Sequence, residues 1–597
     1  MMGMIAGTIQ MNDYKTDREI LKKMCSVLHH RKEIKMMESS HAVLASEQME
    51  SIEIDGKKVT VVCDGDLYNT SDLINLCKNK GIEITSCRAT ELILKLYLTY
   101  HHECVSKMNG CFAFVIVDER TNSFLMARDP MGIKPLFYSM KENQIVFASE
   151  VKGILKHPLI SARAGAEELM EMICFGPART LGKTYFKDIE EIKPGYLLSG
   201  TANGMTMMRY YHLHDSAWTL DEQKTIEVVH DLVSDAVLRQ CDVKGRICSM
   251  LSGGLDSSVV VSAASKKIDS MNVYSVDYEG QKEHFKPTFY QPNRDQDYIN
   301  LMVSQYHLNA HEILLNSNDL KNHLVEAMKA RDCPGMADVD SSLLCFLKQM
   351  KDAGESVILS GECSDEIFGG YPWYTQDHLR SVKQFPWASN VNERCSFLKD
   401  EFILCDPQKL MKERISESLS CLCFDKSTSE EEKEIKRLMK LNLDWFMQTL
   451  TDRADRMARV AGVEIRVPLC DLRIVEALYR IPWSMKYKDN KEKHLLRKAF
   501  ETELPEEICW RKKSPYPKTH DPEYASLVKE EFMKMIEDEN SPVLEILKKE
   551  KLIELIDSDF QRPWFGQLMT GPQTMAYFIQ MNEWLKEYDV EIIHPKG

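Results

Sequence analysis

Leu251-Ser252-Gly253-Gly254-Leu255-Asp256-Ser257-Ser258 joins an apolar, strand-like segment (residues 246–251) to a segment with helical spacing (257–267) through a glycine-serine loop. Paired glycines let a backbone curl with its N–H groups inward, serine hydroxyls add donors, and the following helix presents the positive end of its dipole. That combination predicts a pyrophosphate cradle. The Gly-Lys-Ser/Thr ending of a Walker loop is missing. Asp256 needs a separate reason, because a carboxylate beside phosphates repels them unless a magnesium ion lies between.

Outward from this loop, helices and strands alternate. Helices are expected over 222–240 and 298–306, and strands over 272–276 and 356–359. Such alternation predicts a parallel sheet flanked by helices. The strand at 356–359 runs into a second glycine-containing loop, Ser360-Gly361-Glu362-Cys363-Ser364-Asp365-Glu366, followed by Gly369-Gly370-Tyr371. Ligands of open α/β sheets bind at the carboxyl ends of strands. Asp256 and Asp365 are therefore the pair expected to hold one magnesium ion against a departing pyrophosphate. An acidic helix start would account for Asp365 and Glu366 but not for the glycines around them.

The remainder, 407–586, is mostly helical in pattern, with the charge-rich 427–436 expected as a solvated helix face. Upstream, short apolar runs at 59–63 (ahead of a turn at Gly65), 112–118, 123–127 and 144–148 predict a two-layer β-rich domain. A helix over 90–101, with Ile93, Leu96, Tyr97 and Tyr100 on one face, is expected to pack on it. The texture changes between about residues 204 and 220, where the domain boundary is placed.

Composition narrows the function. A chain of 597 residues is long enough for two well-cored domains. Its 91 acidic and 76 basic side chains give a net charge of −15, which disfavours nucleic acid and anionic membranes and leaves small molecules as partners. The start of the chain does not read as a signal peptide, no apolar run is long enough for a membrane helix, and the 18 cysteines lack paired spacings. A reduced, cytoplasmic protein is expected.

At the two glycine loops the sequence resembles the asparagine synthetase family, glutamine-hydrolysing type, whose synthetase domain is a PP-loop ATP pyrophosphatase. Family-like blocks also occur at 331–338, 453–457 running to 464–471, 491–497 and 510–518, so that the likeness covers nearly all of 225–525. Residues 128–138 and 147–150 are similar to the family's glutaminase domain. The resemblance implies a fold of α/β and α+β class in two parts. Residues 1–205 would form an Ntn-hydrolase-like β-sheet sandwich (αββα), a vestigial class II glutamine amidotransferase-like domain. Residues 215–597 would form the synthetase domain, with a PP-loop α/β core and parallel sheet at 225–400 and a helical remainder.

Activity and cofactors follow from the same resemblance: with ATP and Mg2+, an acceptor carboxylate attacks the α-phosphorus, pyrophosphate leaves, and ammonia attacks the acyl-adenylate to give an amide. Leu251, Val276, Ser360 and Gly361 match positions that contact adenosine. Ser252, Gly253, Gly254, Asp256, Ser257 and Ser258 match the pyrophosphate loop, and Asp256 and Asp365 the metal ligands. Glu362 matches the carboxylate tied to intermediate formation, and Lys493 the lysine that steadies charge on the α-phosphate. Family members often pair as homodimers.

The sequence departs from the family in the N-terminal part. Where glutamine-dependent members carry a nucleophilic cysteine, this chain has Met2, and a thioether cannot become a thiolate. The Asn-Gly-Glu oxyanion turn appears as Asp64-Gly65-Asp66, and an anionic Asp64 repels a developing oxyanion. The Asp-Thr-Glu that binds the glutamine amine begins with Ala89, and the Arg-Gly-Pro-Asp segment reads Arg31-Lys32-Glu33-Ile34. Cys63, on an apolar strand, reads as a core thiol rather than a substitute. The expected reaction is aspartate, ATP and ammonia to asparagine, AMP and pyrophosphate with glutaminase activity lost. The alternative is a PP-loop ligase adenylating a different carboxylic acid, similar to β-lactam synthetases or lasso-peptide cyclases. A non-catalytic scaffold is disfavoured by the retained Asp256, Glu362, Asp365 and Lys493, and a transfer-RNA thiolation enzyme by the acidic charge.

Overall fold

A computed structural model describes residues 3–11, 17–29, 33–39, 41–243, 245–280, 295–380, 383–388, 390–513, 521–556, 563–566 and 569–595. The chain divides into two compact units. The first holds the described residues up to Glu168 together with Arg179–His212 and Asp589–Ile593, and the second holds Leu169–Ala178, Leu213–Tyr588 and the residues beyond Ile593.

In the first unit two six-stranded antiparallel sheets face each other. One runs in the order Glu190–Glu191, Phe137–Lys141, Gln144–Ala148, Ile5–Gln10, Ala42–Ser46, Lys35–Glu38. The other runs Gly204–Arg209, Tyr196–Thr201, Ser123–Arg128, Gly110–Asp118, Lys57–Leu67, Met49–Ile54. Alternation along Gly110–Asp118 explains the layering, because successive side chains of a strand point to opposite faces. Ala113, Val115 and Val117 meet Ile5, Leu44 and Phe147 in the core between the sheets. Phe112, Phe114 and Ile116 meet Leu92, Ile93 and Leu96 of the helix Ala89–Tyr100 on the outside. With the helix Arg18–Cys25 on the other sheet, the layers are α, β, β, α. A strand buried on both faces reads as an unbroken apolar run, which is why this one was visible in the sequence.

Gly65 is not a turn. The strand Lys57–Leu67 continues through it, with Gly65 paired to Phe112. Its φ is +125°, and a Cβ there would lie 1.9 Å from the Cys111 carbonyl oxygen, so the glycine permits a close backbone approach inside the sheet.

In the second unit five parallel strands lie in the order Asn309–Leu315, Asn272–Tyr278, Ile247–Met250, Val357–Leu359, Glu464–Arg466. The chain leaves the central strand Ile247–Met250 in one direction and returns to its other side with Val357–Leu359. The order therefore reverses between those two strands, where an open sheet forms its ligand crevice. Helices fill most of the rest of the unit, and no helix among the described residues is long and apolar enough to cross a membrane.

One expectation holds only in part. The helix is Glu430–Leu441, and its start with Glu430 and Glu431 is exposed, but its Ile435 and Lys436 are buried. The Lys436 ammonium pairs with the enclosed carboxylate of Asp215 and lies 5.4 Å from the centre of the Tyr479 ring. A partner 221 residues away leaves no trace in local charge pattern. Burial raises the Asp215 pKa, but Lys436 and Thr428 more than reverse this and hold it below the ordinary value. Asp215→Ala strands a buried ammonium and is expected to cost about 3 kcal/mol in urea unfolding at pH 7. Because the folded-state pKa is depressed, this contribution is present above the unfolded value of about 4 and is lost as pH falls through the folded one. The gap between wild type and variant should therefore close in acid, and a gap unchanged down to pH 2 would refute the assignment.

Candidate active site

Two loops leave the carboxyl ends of the strands on either side of the reversal. After Met250, the Leu251 N–H donates to the Tyr274 carbonyl at 2.9 Å, tying the loop to the neighbouring strand that carries Val276. Gly253 turns at φ +65°, where a Cβ would meet Tyr298 at 2.6 Å. The following helix, Leu255–Ser265, begins earlier than the expected 257, so Asp256, Ser257 and Ser258 sit in its first turn and not in the loop. The Ser257 hydroxyl accepts from the Ser252 N–H at 3.2 Å and closes the loop on itself. The buried Ser258 Oγ has no hydrogen-bond partner.

On the other side, the Ser360 N–H donates to the Arg466 carbonyl at 2.9 Å. Gly361 then passes so close to the first loop that a Cβ would stand 2.9 Å from the Ser257 nitrogen. Only glycine allows this contact, and it brings Glu362 and the short helix Ser364–Phe368 to Asp256.

The charged groups interlock. Lys493 Nζ lies 2.7 and 2.6 Å from the two oxygens of Asp256 and 2.6 Å from Asp365 Oδ1. Lys513 Nζ lies 2.5 Å from Asp365 Oδ2, and the Ser364 hydroxyl donates to Asp256 Oδ1 at 2.6 Å. Every oxygen of the two carboxylates thus faces an ammonium. Burial pushes the Asp365 carboxyl up, yet Lys493 and Lys513 outweigh it and hold the group below the usual carboxylate range. Burial likewise opposes the charge on Lys493, and Asp256 and Asp365 more than restore it.

Gly370 is the floor of this arrangement, since a Cβ there would come within 1.9 Å of Asp365 Oδ1 and 2.3 Å of Lys493 Cε. Lys493 itself adopts a left-handed backbone, φ +56°, before the helix His494–Phe500.

Glu362 stands apart from the lysines. Arg453 donates to its Oε1 at 2.9 Å, while Oε2 is buried without a partner. Burial raises its pKa, and Arg453 offsets this only in part. Glu366, buried beside Asp365, is pushed up to about 7 by burial and by that neighbour, with the Tyr371 hydroxyl donating to it at 2.7 Å.

Lys513, Arg453, Ser364 and Arg511 had not been singled out from sequence. Arg511 reaches the Ser252 carbonyl at 3.2 Å and Asp295 at 2.5 Å, with its guanidinium 3.9 Å from the centre of the Tyr298 ring, and so pins the glycine-serine loop from outside. The available signal was the run Arg511-Lys512-Lys513 in an acidic chain. Among the described residues no three His, Cys, Asp or Glu side chains form a metal cluster. Two carboxylates facing a phosphate loop nevertheless suit magnesium, which keeps waters and binds through one or two carboxylates plus substrate phosphates.

In the first unit the positions that departed from the family pattern have other occupations. Met2 and Arg31 lie outside the described residues. Asp64 is fully buried and accepts the Gly3 N–H at 2.9 Å, and Asp66 accepts the Leu67 N–H at 3.0 Å. Ala89 opens the helix Ala89–Tyr100 and offers no polar atom in its side chain. Glu91 takes four hydrogen bonds of 2.6 to 2.8 Å from Thr85 and Ser86, which commits its carboxylate to the preceding turn. Burial pushes the Cys25 thiol up to about 12 and the Cys63 thiol well above its ordinary range, so neither supplies a thiolate.

Known proteins share this plan. Residues 228–586 match the asparagine synthase family model and residues 1–211 the glutamine amidotransferase domain model. The chain is 40% identical over 548 residues to the glutamine-hydrolysing asparagine synthetase 3 of Bacillus subtilis, covering 90% of this chain and 88% of that protein. It is 26% identical over 494 residues to asparagine synthetase 1 of the same organism, covering 76% and 75%. It is also 26% identical over 471 residues to the asparagine synthetase of Rattus norvegicus, covering 75% and 69%. The chain belongs to the asparagine synthetase family of carbon–nitrogen ligases.

Proposed function

We propose that the second unit converts aspartate, ATP and ammonia to asparagine, AMP and pyrophosphate through a β-aspartyl-adenylate, and that the first unit no longer hydrolyses glutamine. The observation that carries the synthetase reading is the carboxylate pair Asp256 and Asp365, held by Lys493 and Lys513 beside the glycine-serine loop at the sheet reversal. A site built this way accepts a polyanion: phosphates can take the ammoniums while the freed carboxylates take the metal.

Asp256 and Asp365 would hold magnesium, which supplies charge neutralisation for the leaving pyrophosphate. The loop from Ser252 to Gly254 and the start of the helix Leu255–Ser265 bind the phosphates, and Leu251, Val276, Ser360 and Gly361 border the adenosine. Lys493 and Lys513 neutralise charge on the reacting phosphates. Glu362, with a raised pKa and one oxygen free of partners, is placed to take a proton as ammonia attacks the acyl-adenylate, and Arg453 orients it.

The loss of glutaminase chemistry rests on Met2 in place of a thiol, on Asp64 in the oxyanion turn and on Ala89 in place of the aspartate that binds the glutamine amine. Magnesium-ATP and aspartate should yield pyrophosphate and asparagine with ammonium chloride and not with glutamine. Asparagine formed from glutamine would contradict the reading. Asp256→Asn and Asp365→Asn should each lower pyrophosphate release about 100-fold or more when assayed well below their own unfolding midpoints, which should fall because each takes a charged partner from a lysine. Because both carboxylates already face ammoniums, calorimetry should show no binding of magnesium chloride alone at millimolar levels and clear binding together with a non-hydrolysable ATP analogue. Tight binding of the bare ion would contradict the proposed exchange.

A further inference from the structure

Away from the active site, the second unit brings two thiols together. Cys174, near the end of the helix Ala166–Phe175, and Cys395, the last residue of the helix Val391–Cys395, have their sulfurs 3.1 Å apart although 221 residues separate them. Both are buried, at 0% and 2% exposure. The contact is held on both sides by the residue beside Cys395. The Arg394 guanidinium donates to the carbonyl of Cys174 at 2.5 Å, to that of Gly176 at 3.4 Å and to that of Trp564, and it lies 4.7 Å from the centre of the Trp564 ring. The neighbouring ion pair of Glu171 with Arg414, 2.5 Å, fixes the first helix further. Sulfurs already in contact meet the first condition a disulfide imposes.

We propose that Cys174 and Cys395 form a reversible intramolecular disulfide when a low-molecular-weight disulfide oxidant reaches them through local opening. The Cys395 thiolate attacks the oxidant and releases one equivalent of its thiol, and the Cys174 sulfur then attacks Cys395 and releases the second equivalent. In sum, one oxidant disulfide is reduced to two thiols, which carry off the protons of Cys174 and Cys395, and one protein disulfide forms. Burial of the pair slows each exchange, so the reaction is expected over minutes to hours.

The test incubates the full chain with oxidised glutathione, blocks free thiols, digests without reduction and reads cross-linked peptides by mass spectrometry. A Cys174–Cys395 linked peptide that dithiothreitol removes is expected, together with a thermal midpoint that rises on oxidation and falls back on reduction. Recovery of Cys174 and Cys395 as alkylated free thiols, under conditions where the exposed Cys87 and Cys423 carry glutathione, would overturn the proposal.

Discussion

One ammonium shared between two carboxylates organises the catalytic half of this molecule. Asp256 and Asp365 come from loops after two adjacent parallel strands, and like charges so placed repel strongly where water is excluded. Lys493 and Lys513 remove that repulsion: two carboxylates and two ammoniums sum to zero. Several glycines serve the same contact. Gly361 lets the two loops touch, and Gly370 leaves room for the Lys493 stem and the Asp365 carboxylate. Since a buried charge is tolerated only when paired, the nucleotide binding proposed for this site is an exchange of partners and not an addition to the cluster.

The first unit is held together by layered apolar packing. Its four layers depend on alternating apolar strands and on helices packed outside them, and none of that requires a nucleophile at the chain start. Two of its polar groups work as structure: Asp64 fastens the lead into the first strand, and Glu91 fastens the turn before its helix. Function belongs to sites carried by a fold and not to the layers themselves.

Much of the second unit's plan was legible because it is local. Strand-helix alternation announces a parallel sheet with glycine loops at its carboxyl ends, so the setting of Asp256 and Asp365 could be read directly, whereas Glu362 and Lys493 entered only through the family resemblance. Residues that act across the fold were not legible. Lys513 and Arg453 meet their carboxylates 148 and 91 residues away, and single cations in charged stretches look like surface. Gly65 was taken for a turn because glycine marks turns and close approaches alike, and only the opposing strand distinguishes them. Leu169–Ala178 and Asp589–Ile593 each pack with the unit distant in sequence, which composition along the chain does not register. Lys436 failed for the same reason as Lys513, its partner being far along the chain.

Transfer of oxygen from the acceptor carboxylate to AMP tests most directly whether this site activates aspartate by adenylation. Aspartate labelled with oxygen-18 in its side-chain carboxylate, incubated with magnesium-ATP and ammonium, should give AMP carrying one heavy oxygen and asparagine retaining one. Turnover that leaves the AMP unlabelled, or that yields labelled phosphate with ADP, would contradict attack by the carboxylate on the α-phosphorus at the Asp256 and Asp365 site.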